Sequence, residues 1–366
     1  MALRPTASAV RNISLLRHAP RSTTTQLSTR GARYHSGTSS SVSPDELTHF
    51  SSLASSWWDP LGPSRILHLM NPLRHEFIAS CLTESKPRST SSHNSVSDNS
   101  ASSNAQTNIT TQPGLRYLDI GCGGGIFAES LARTIPPQPQ HQQQSTAVSP
   151  DLSPITQASS ILAIDPSPTM IKIATSHARA DPLVHSHLQS GRFKYENTTL
   201  EALASPSPSS SETTTSTPQK FDIITLFEVL EHVDPHTSSP PSFLKQCLQL
   251  LQPGGWLIGS TIARSLPSYI VNQVIAEAPW PIGVVPRGTH EWGKFVNGDE
   301  VRGWVGKGLR EIDGDVVYRS GESEGEGGMR WKCVGAMYFP GLGWKMVPGS
   351  EAWGNYFWAV QRGDRC

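Results

Sequence analysis

The chain has 366 residues, 36% of them hydrophobic, and its 30 basic residues are balanced by 30 acidic ones. That length can bury a sizeable core and hold one or two domains. No run of 18 apolar residues occurs, which excludes a membrane-spanning helix, and five scattered cysteines without a CxxC pair give no zinc or redox motif.

The charge balance hides an asymmetry. Residues 1–44 carry Arg4, Arg11, Arg17, Arg21, Arg30 and Arg33, many Ser and Thr, and no Asp or Glu. This is the composition of a mitochondrial transit peptide; a disordered basic tail is the alternative. Without those six arginines, 24 basic residues face 30 acidic ones, about −6, so no nucleic-acid partner is expected.

Residues 45–84 are the first that look folded. Leu47, Phe50, Leu53, Trp57 and Trp58 recur at roughly helical spacing, which predicts an N-terminal helical cap. Residues 85–113 are almost all Ser, Thr, Asn and Gln; such a linker cannot bury enough apolar surface to order itself. Two further polar stretches, 136–160 and 204–219, read as disordered insertions in surface loops of one domain spanning 114–362.

That domain opens with Tyr117-Leu118-Asp119-Ile120, a short apolar strand holding an acid, followed by Gly121-Cys122-Gly123-Gly124-Gly125 and a helix from near Ile126. Glycines at Gly121 and Gly123 let the backbone turn tightly and approach a ligand, and the helix points free N–H groups back at the loop. A dinucleotide fingerprint needs glycine where Ile126 stands, and the Gly-Lys-Ser/Thr ending of a P-loop is missing. A glycine turn without a ligand stays open.

Ile161–Asp165 is the second strand, its terminal acid suited to ribose hydroxyls. It follows Gly125 by 40 residues rather than the usual ~20, an excess that the polar insertion explains. A helix over Thr169–Ala180, a third strand at Arg192–Tyr195 and a fourth at Phe221–Phe227 come next. Phe227 lies at a carboxyl strand end, where open α/β sheets bind ligands. Glu228, Glu231 and His232 then share one face if their segment is helical. Two carboxylates and an imidazole could hold a divalent cation; a metal-free turn that caps a helix and lines a pocket is the other reading. A helix over Ser242–Leu251, a stop at Gln252-Pro253-Gly254-Gly255 and a fifth strand at Trp256–Thr261 complete a βαβα alternation, which predicts a parallel doubly wound sheet. Residues 263–300 form a lid insertion with the apolar stretch Tyr269–Glu277, the run Pro286–Trp292, Lys294 and Phe295; its few charges suit an interfacial element. After a hairpin-like loop at Gly321–Gly328, the last strands fall at Val334–Pro340 and Asn355–Val360.

These motifs carry a resemblance. The D-x-G-x-G of Asp119–Gly123 resembles motif I of the class I S-adenosylmethionine-dependent methyltransferases, and the strand–helix–P-G-G–strand order over 221–261 resembles the same group. More specifically, W-W-D-P at Trp57–Pro60, N-P-L-R at Asn71–Arg74 and P-R-G-T-H-x-W-x-K-F from Pro286 resemble the ubiquinone-biosynthesis O-methyltransferases, over most of residues 45–361. The resemblance implies a Rossmann-like class I methyltransferase sheet, mostly parallel with an antiparallel last strand. It implies S-adenosyl-L-methionine as methyl donor, its carboxylate held by Arg74, with Asp119, Gly121, Gly123, Asp165 and Phe227 around it. It implies a polyprenylated catechol or quinol as acceptor, with the lid touching membrane and polyprenyl tail. It implies a divalent cation, Mg2+, on Glu228, Glu231 and His232, with His232 and His290 as candidate bases. Finally, it implies a peripheral place on the matrix side of the inner mitochondrial membrane, beside other ubiquinone-synthesis proteins. Three alternatives stay open: a methyltransferase for another small molecule, a C-methyltransferase of the same pathway, and a non-catalytic scaffold.

Overall fold

The computed structural model of the protein describes residues 40–62, 64–85, 114–137, 153–205, 219–235, 237–277, 291–314 and 329–363. The arginine-rich leader over residues 1–39, most of each polar stretch, Pro286–His290 and the Gly321–Gly328 loop lie outside the described residues. Helices α1 (Pro44–Leu53) and α2 (Arg65–Ser85) form the N-terminal cap. The strands are β1 (Leu115–Ile120), β2 (Ala158–Asp165), β3 (Phe193–Asn197), β4 (Phe221–Phe227), β5 (Leu251–Ile262), β6 (Arg330–Phe339), β7 (Gly343–Val347) and β8 (Asn355–Gln361). Between and after them run α3 (Ile126–Ala132), α4 (Ser153–Thr156), α5 (Pro168–Ala178), α6 (Pro182–Gln189), α7 (Leu200–Ala204), α8 (Pro240–Leu250), α9 (Leu266–Tyr269) and α10 (Gly298–Asp313).

All eight strands join one sheet in the order β3-β2-β1-β4-β5-β8-β6-β7. The first five are parallel, and β8 adds antiparallel to β5. The β6–β7 hairpin then extends that edge, so the antiparallel part is three strands rather than one. Alternation along each strand sends side chains to opposite faces. Tyr117, Ile161, Phe193, Ile223, Trp256 and Phe357 pack on one face beneath α2, α3 and α6. Leu118, Ile164, Ile224, Leu257, Trp358 and Val360 pack on the other beneath α8 and α10. Both faces are covered, which is why the central strands read as continuous apolar runs.

Two elements differ from the sequence reading, each for a physical reason, and a third, α10, is not assigned by it. The second strand starts at Ala158, so the polar stretch taken to reach residue 160 ends earlier. Its short polar residues are ordered by hydrogen bonds: the Tyr117 hydroxyl donates to Thr156 O at 2.6 Å, Thr134 and Thr156 share a hydroxyl bond at 2.6 Å, and Ser159 Oγ donates to Gly114 O at 2.8 Å. The Gln252–Gly255 turn lies within the start of β5, where the register with β4 shifts. Helix α10 is charged enough to look like surface, yet Val301, Val305 and Leu309 form a fully buried stripe. Its start is marked by the Glu300 carboxylate, which accepts from the Asn297 N–H at 2.9 Å.

Gly259, in β5, is a tight point of this packing. A Cβ there would stand 2.5 Å from Trp358 Cζ2 and 2.8 Å from Leu226 O. Gly259→Ala should destabilise the fold by about 1–3 kcal/mol through overpacking. A thermal melt checks this, and an unchanged midpoint would mean that Trp358 is free to move aside.

Candidate active site

The carboxyl ends of β2, β1 and β4 lie side by side, and each delivers one residue that the sequence singled out: Asp165, Asp119 and Phe227. This edge, where the chain turns back across the sheet from β1 to β4, is the ligand-binding crevice of open α/β sheets. The loop after β1 is held against β2 by bonds from the Gly121 and Cys122 N–H groups to Ile164 O, at 2.9 and 3.0 Å. Gly121 and Gly123 have φ of 69° and 51°, backbone conformations that a side chain would strain.

Asp165 organises this corner. One carboxylate oxygen accepts from the Gly123 N–H at 2.9 Å, the other from the Ser167 N–H at 2.8 Å. Each oxygen keeps lone pairs for a further donor. Burial raises the Asp165 pKa against the pull of those two N–H groups. Asp119 is buried more deeply: Oδ1 accepts from the Thr225 hydroxyl at 2.6 Å, while Oδ2 has no partner among the described residues. Burial drives its carboxyl up to about 7, with Thr225 and Arg74 pulling the other way.

Arg74 approaches from α2. Asn71, one turn earlier on the same helix, donates to Ile126 O at 3.0 Å and accepts from Arg74 Nη1 at 3.0 Å, fixing α2 against the start of α3. The guanidinium is 3% exposed and stands over the rings of Phe227 at 5.1 Å and Phe127 at 5.9 Å. Its Nε has no partner among the described residues. Burial lowers its pKa, and Glu228 and Asp119 counteract that through their charge. A buried, half-bonded guanidinium fork is suited to a carboxylate ligand. These groups line one end of a cavity of about 560 Å³, a volume typical of a cofactor-plus-substrate site. Ile66, Met70, Tyr338, Trp344 and Trp353 give the rest of that cavity apolar walls.

The expected cation site does not assemble. Glu228 leaves β4 with φ of 56°, and Leu230–His232 is a single 3₁₀ turn, so the shared helical face is absent. Each side chain turns to a different partner. Glu228 accepts from Ser260 Oγ at 2.6 Å and from Asn355 Nδ2 at 3.1 Å. Glu231 accepts from Thr261 Oγ1 at 2.7 Å, and burial together with the Glu228 charge raises its pKa. Nδ1 of His232 lies 3.2 Å from Glu46 Oε2. Among the described residues no three His, Cys, Asp or Glu side chains stand where they could hold a metal ion. In this arrangement the three side chains do not converge on one point, so it lends the Mg2+ expectation no support. A non-glycine residue at positive φ is uncommon and costs of order 1–3 kcal/mol; the bonds to Ser260 and Asn355 hold Glu228 there. His290 lies outside the described residues.

Glu46 is the residue that sequence reasoning missed. On α1 it accepts from His232 and, through its other oxygen, from Lys294 Nζ at 3.1 Å, so one carboxylate ties the cap to the turn after β4 and to the lid. Phe50, one turn further on, meets the His232 ring edge-on at 4.9 Å. The only signal was an acid on the inner face of an otherwise polar helix, which any solvated residue would also give. Thr225 and Ser260, polar residues within apolar strands, were not singled out either.

A family model described as a methyltransferase domain matches residues 90–307. The mitochondrial ubiquinone biosynthesis O-methyltransferase of Candida albicans is 31% identical over 346 residues, 90% of this chain and 88% of that protein. The mitochondrial enzyme of the same name from Saccharomyces cerevisiae is 30% identical over 344 residues, 88% of this chain and 89% of its own. The ubiquinone biosynthesis O-methyltransferase of Cereibacter sphaeroides (strain ATCC 17029 / ATH 2.4.9) is 31% identical over 276 residues, 75% of this chain and 86% of that protein.

The Glu46–His232 contact has a pH signature. Burial alone would raise the Glu46 pKa; hydrogen bonds and charge from His232 and Lys294 override it and hold the carboxyl at about 2. Burial disfavours protonated His232, but the Glu46 bond and the charges of Glu231, Glu46 and Glu228 bring its pKa above the ordinary value. The Glu46 contribution to stability is therefore complete above about pH 4.5 and is lost as pH falls toward 2. The His232 contribution is complete below about pH 6.5 and fades as pH rises through its raised value. Glu46→Gln should lower the His232 pKa, read by NMR titration of the imidazole. An unchanged His232 titration would show that the contact carries no charge.

Proposed function

The chain belongs to the ubiquinone biosynthesis O-methyltransferase family, and from that premise we propose that it transfers a methyl group from S-adenosylmethionine to a phenolic oxygen of a polyprenylated catechol or quinol. The observation that carries this reading is the pairing of the buried guanidinium of Arg74 with the strand-end carboxylate Asp165 across one cavity. Arg74 holds the cofactor carboxylate through a charge-assisted fork. Asp165 accepts from the ribose hydroxyls on the lone pairs that Gly123 and Ser167 leave free. Gly121 and Gly123 let the backbone close on the amino-acid half, and Phe227 packs against it.

The reaction is a displacement. A phenolate lone pair forms the O–C bond, the C–S bond breaks onto sulfur, and the phenolic proton leaves to a base. The protein supplies alignment and that base. We assign that base to His232: in the neutral tautomer that donates Nδ1–H to Glu46, its Nε2 is the acceptor. No step is routed through a cation.

The apolar wall of the cavity suits the acceptor ring and the start of its tail. Leu266, Ile270 and Val274 on α9 and the following π-helical segment, together with Trp292, expose apolar side chains, and Val271 and Ile275 of that segment are exposed while also lining the cavity. No described helix is long and apolar enough to cross a membrane. In our reading this face rests on a bilayer surface; the mitochondrial relatives support a mitochondrial location, and the matrix side of the inner membrane is part of the proposal.

Purified protein should methylate a polyprenyl-dihydroxybenzoate and do so equally with a chelator present. Arg74→Met and Asp165→Asn should each raise the Kd for S-adenosylmethionine by about 10- to 100-fold, the worth of a buried bond to a charged group. Calorimetry decides this: absence of cofactor binding by the wild type would sink the reading, and loss of turnover on chelation would restore the cation.

A further inference from the structure

We propose that Trp57 is a cofactor ligand, its indole N–H donating to an oxygen of bound S-adenosylmethionine; this rests on the reading that the cavity binds that cofactor. Three observations lead there. First, Trp57 is 7% exposed and its Nε1 has no acceptor among the described residues. A buried donor left unpaired costs about 1–3 kcal/mol, and an indole N–H can only donate. Second, Trp57 lines the cavity together with Gly121, Gly123, Asp165 and Arg74. Its ring lies along the glycine loop: a Cβ built on Gly123 would stand 3.1 Å from Cζ2, and one built on Gly124 would stand 2.7 Å from Nε1 and collide with Cδ1. Gly124 has no positive φ, so its backbone conformation does not call for glycine. What calls for it is the indole, and the fourth glycine of the loop is explained by close approach of a side chain from the cap.

Third, the neighbouring tryptophan is engaged elsewhere. Trp58 Nε1 donates to Gly124 O at 2.9 Å, and its ring stacks on His177 at 3.4 Å with an interplanar angle of 4°. His177 Nδ1 in turn lies 2.7 Å from the fully buried Glu129. Trp58 thus clamps the segment to the loop, while the donor of Trp57, beside Gly124, stays unpaired among the described residues. The two adjacent tryptophans divide the work: one fixes the cap, the other meets what the loop binds.

The acceptor is a carboxylate or a ribose oxygen, and two ligands separate these. Trp57→Phe keeps an aromatic ring and removes the donor together with part of the ring's contact area. By calorimetry, this variant should bind S-adenosylhomocysteine about 3- to 30-fold more weakly than wild type. A parallel loss with 5′-methylthioadenosine, which lacks the amino-acid half, assigns the ribose; a loss confined to S-adenosylhomocysteine assigns the carboxylate. Affinities within twofold of wild type for both ligands would overturn the proposal. A wild type that binds neither overturns the cofactor reading instead, so the two failures are distinct. An independent measurement needs no variant: in protein labelled with 15N at the indoles, the Trp57 Nε1–H resonance should shift on adding S-adenosylhomocysteine, and a resonance that stays in place refutes the bond.

Discussion

One buried cation sets the terms for the cofactor end of the molecule. Arg74 has lost nearly all its water, and no carboxylate lies within ion-pair distance of it among the described residues. Removing a guanidinium from water costs several kcal/mol even after relaxation. Two aromatic faces, the Asn71 amide and the charges of Asp119 and Glu228 offset part of that. The remainder is met by burial of α2 itself, whose Met70, Leu73, Phe77, Ile78 and Cys81 enter the main core. Hydrophobic packing thus holds a charge where it would not stay alone. An incoming carboxylate then meets a donor that is already fixed and dry, so little ordering remains to oppose binding.

The cofactor half of the site was legible because it is written in local patterns. An apolar run that ends in an acid, followed by glycines, needs only strand geometry to place Asp119, Asp165 and Gly123. Strand β4 has the bounds its sequence suggests, since six of its seven residues are apolar or β-branched and they alternate faces without a Gly or Pro breaker. What the sequence hides is local structure that breaks period. Glu228, Glu231 and His232 have helical spacing, yet the left-handed turn at Glu228 and the 3₁₀ turn after it separate their side chains. Spacing arguments hold only where the backbone keeps one conformation.

Long-range contacts were hidden for another reason. Glu46 meets partners 186 and 248 residues away, and nothing in a polar helix marks which acid will do so. Helix α10 is short on apolar residues, because it buries only one side. Trp57 was legible as part of a motif, but its relation to Gly124 depends on two segments meeting in space.

These differences follow how the two halves of the cavity are built. The cofactor half stands on the ends of parallel strands at the centre of the sheet, where the backbone is pinned on both sides. The acceptor half is assembled from the cap, the turn after β4, the lid and the β6–β7 hairpin, held together at Glu46 by polar contacts that water can replace. Helix α1 has no buried residue of its own. Elements with few buried apolar contacts open at lower free energy than core strands. In the proposed reaction, the half that would admit the apolar tail is the half with fewer buried contacts, while Trp57 and Trp58 keep the inner end of the cap on the glycine loop. Under that reading a single cap would serve both ends of the reaction: rigid beside the proposed methyl-donor site, and more easily released where the acceptor would enter.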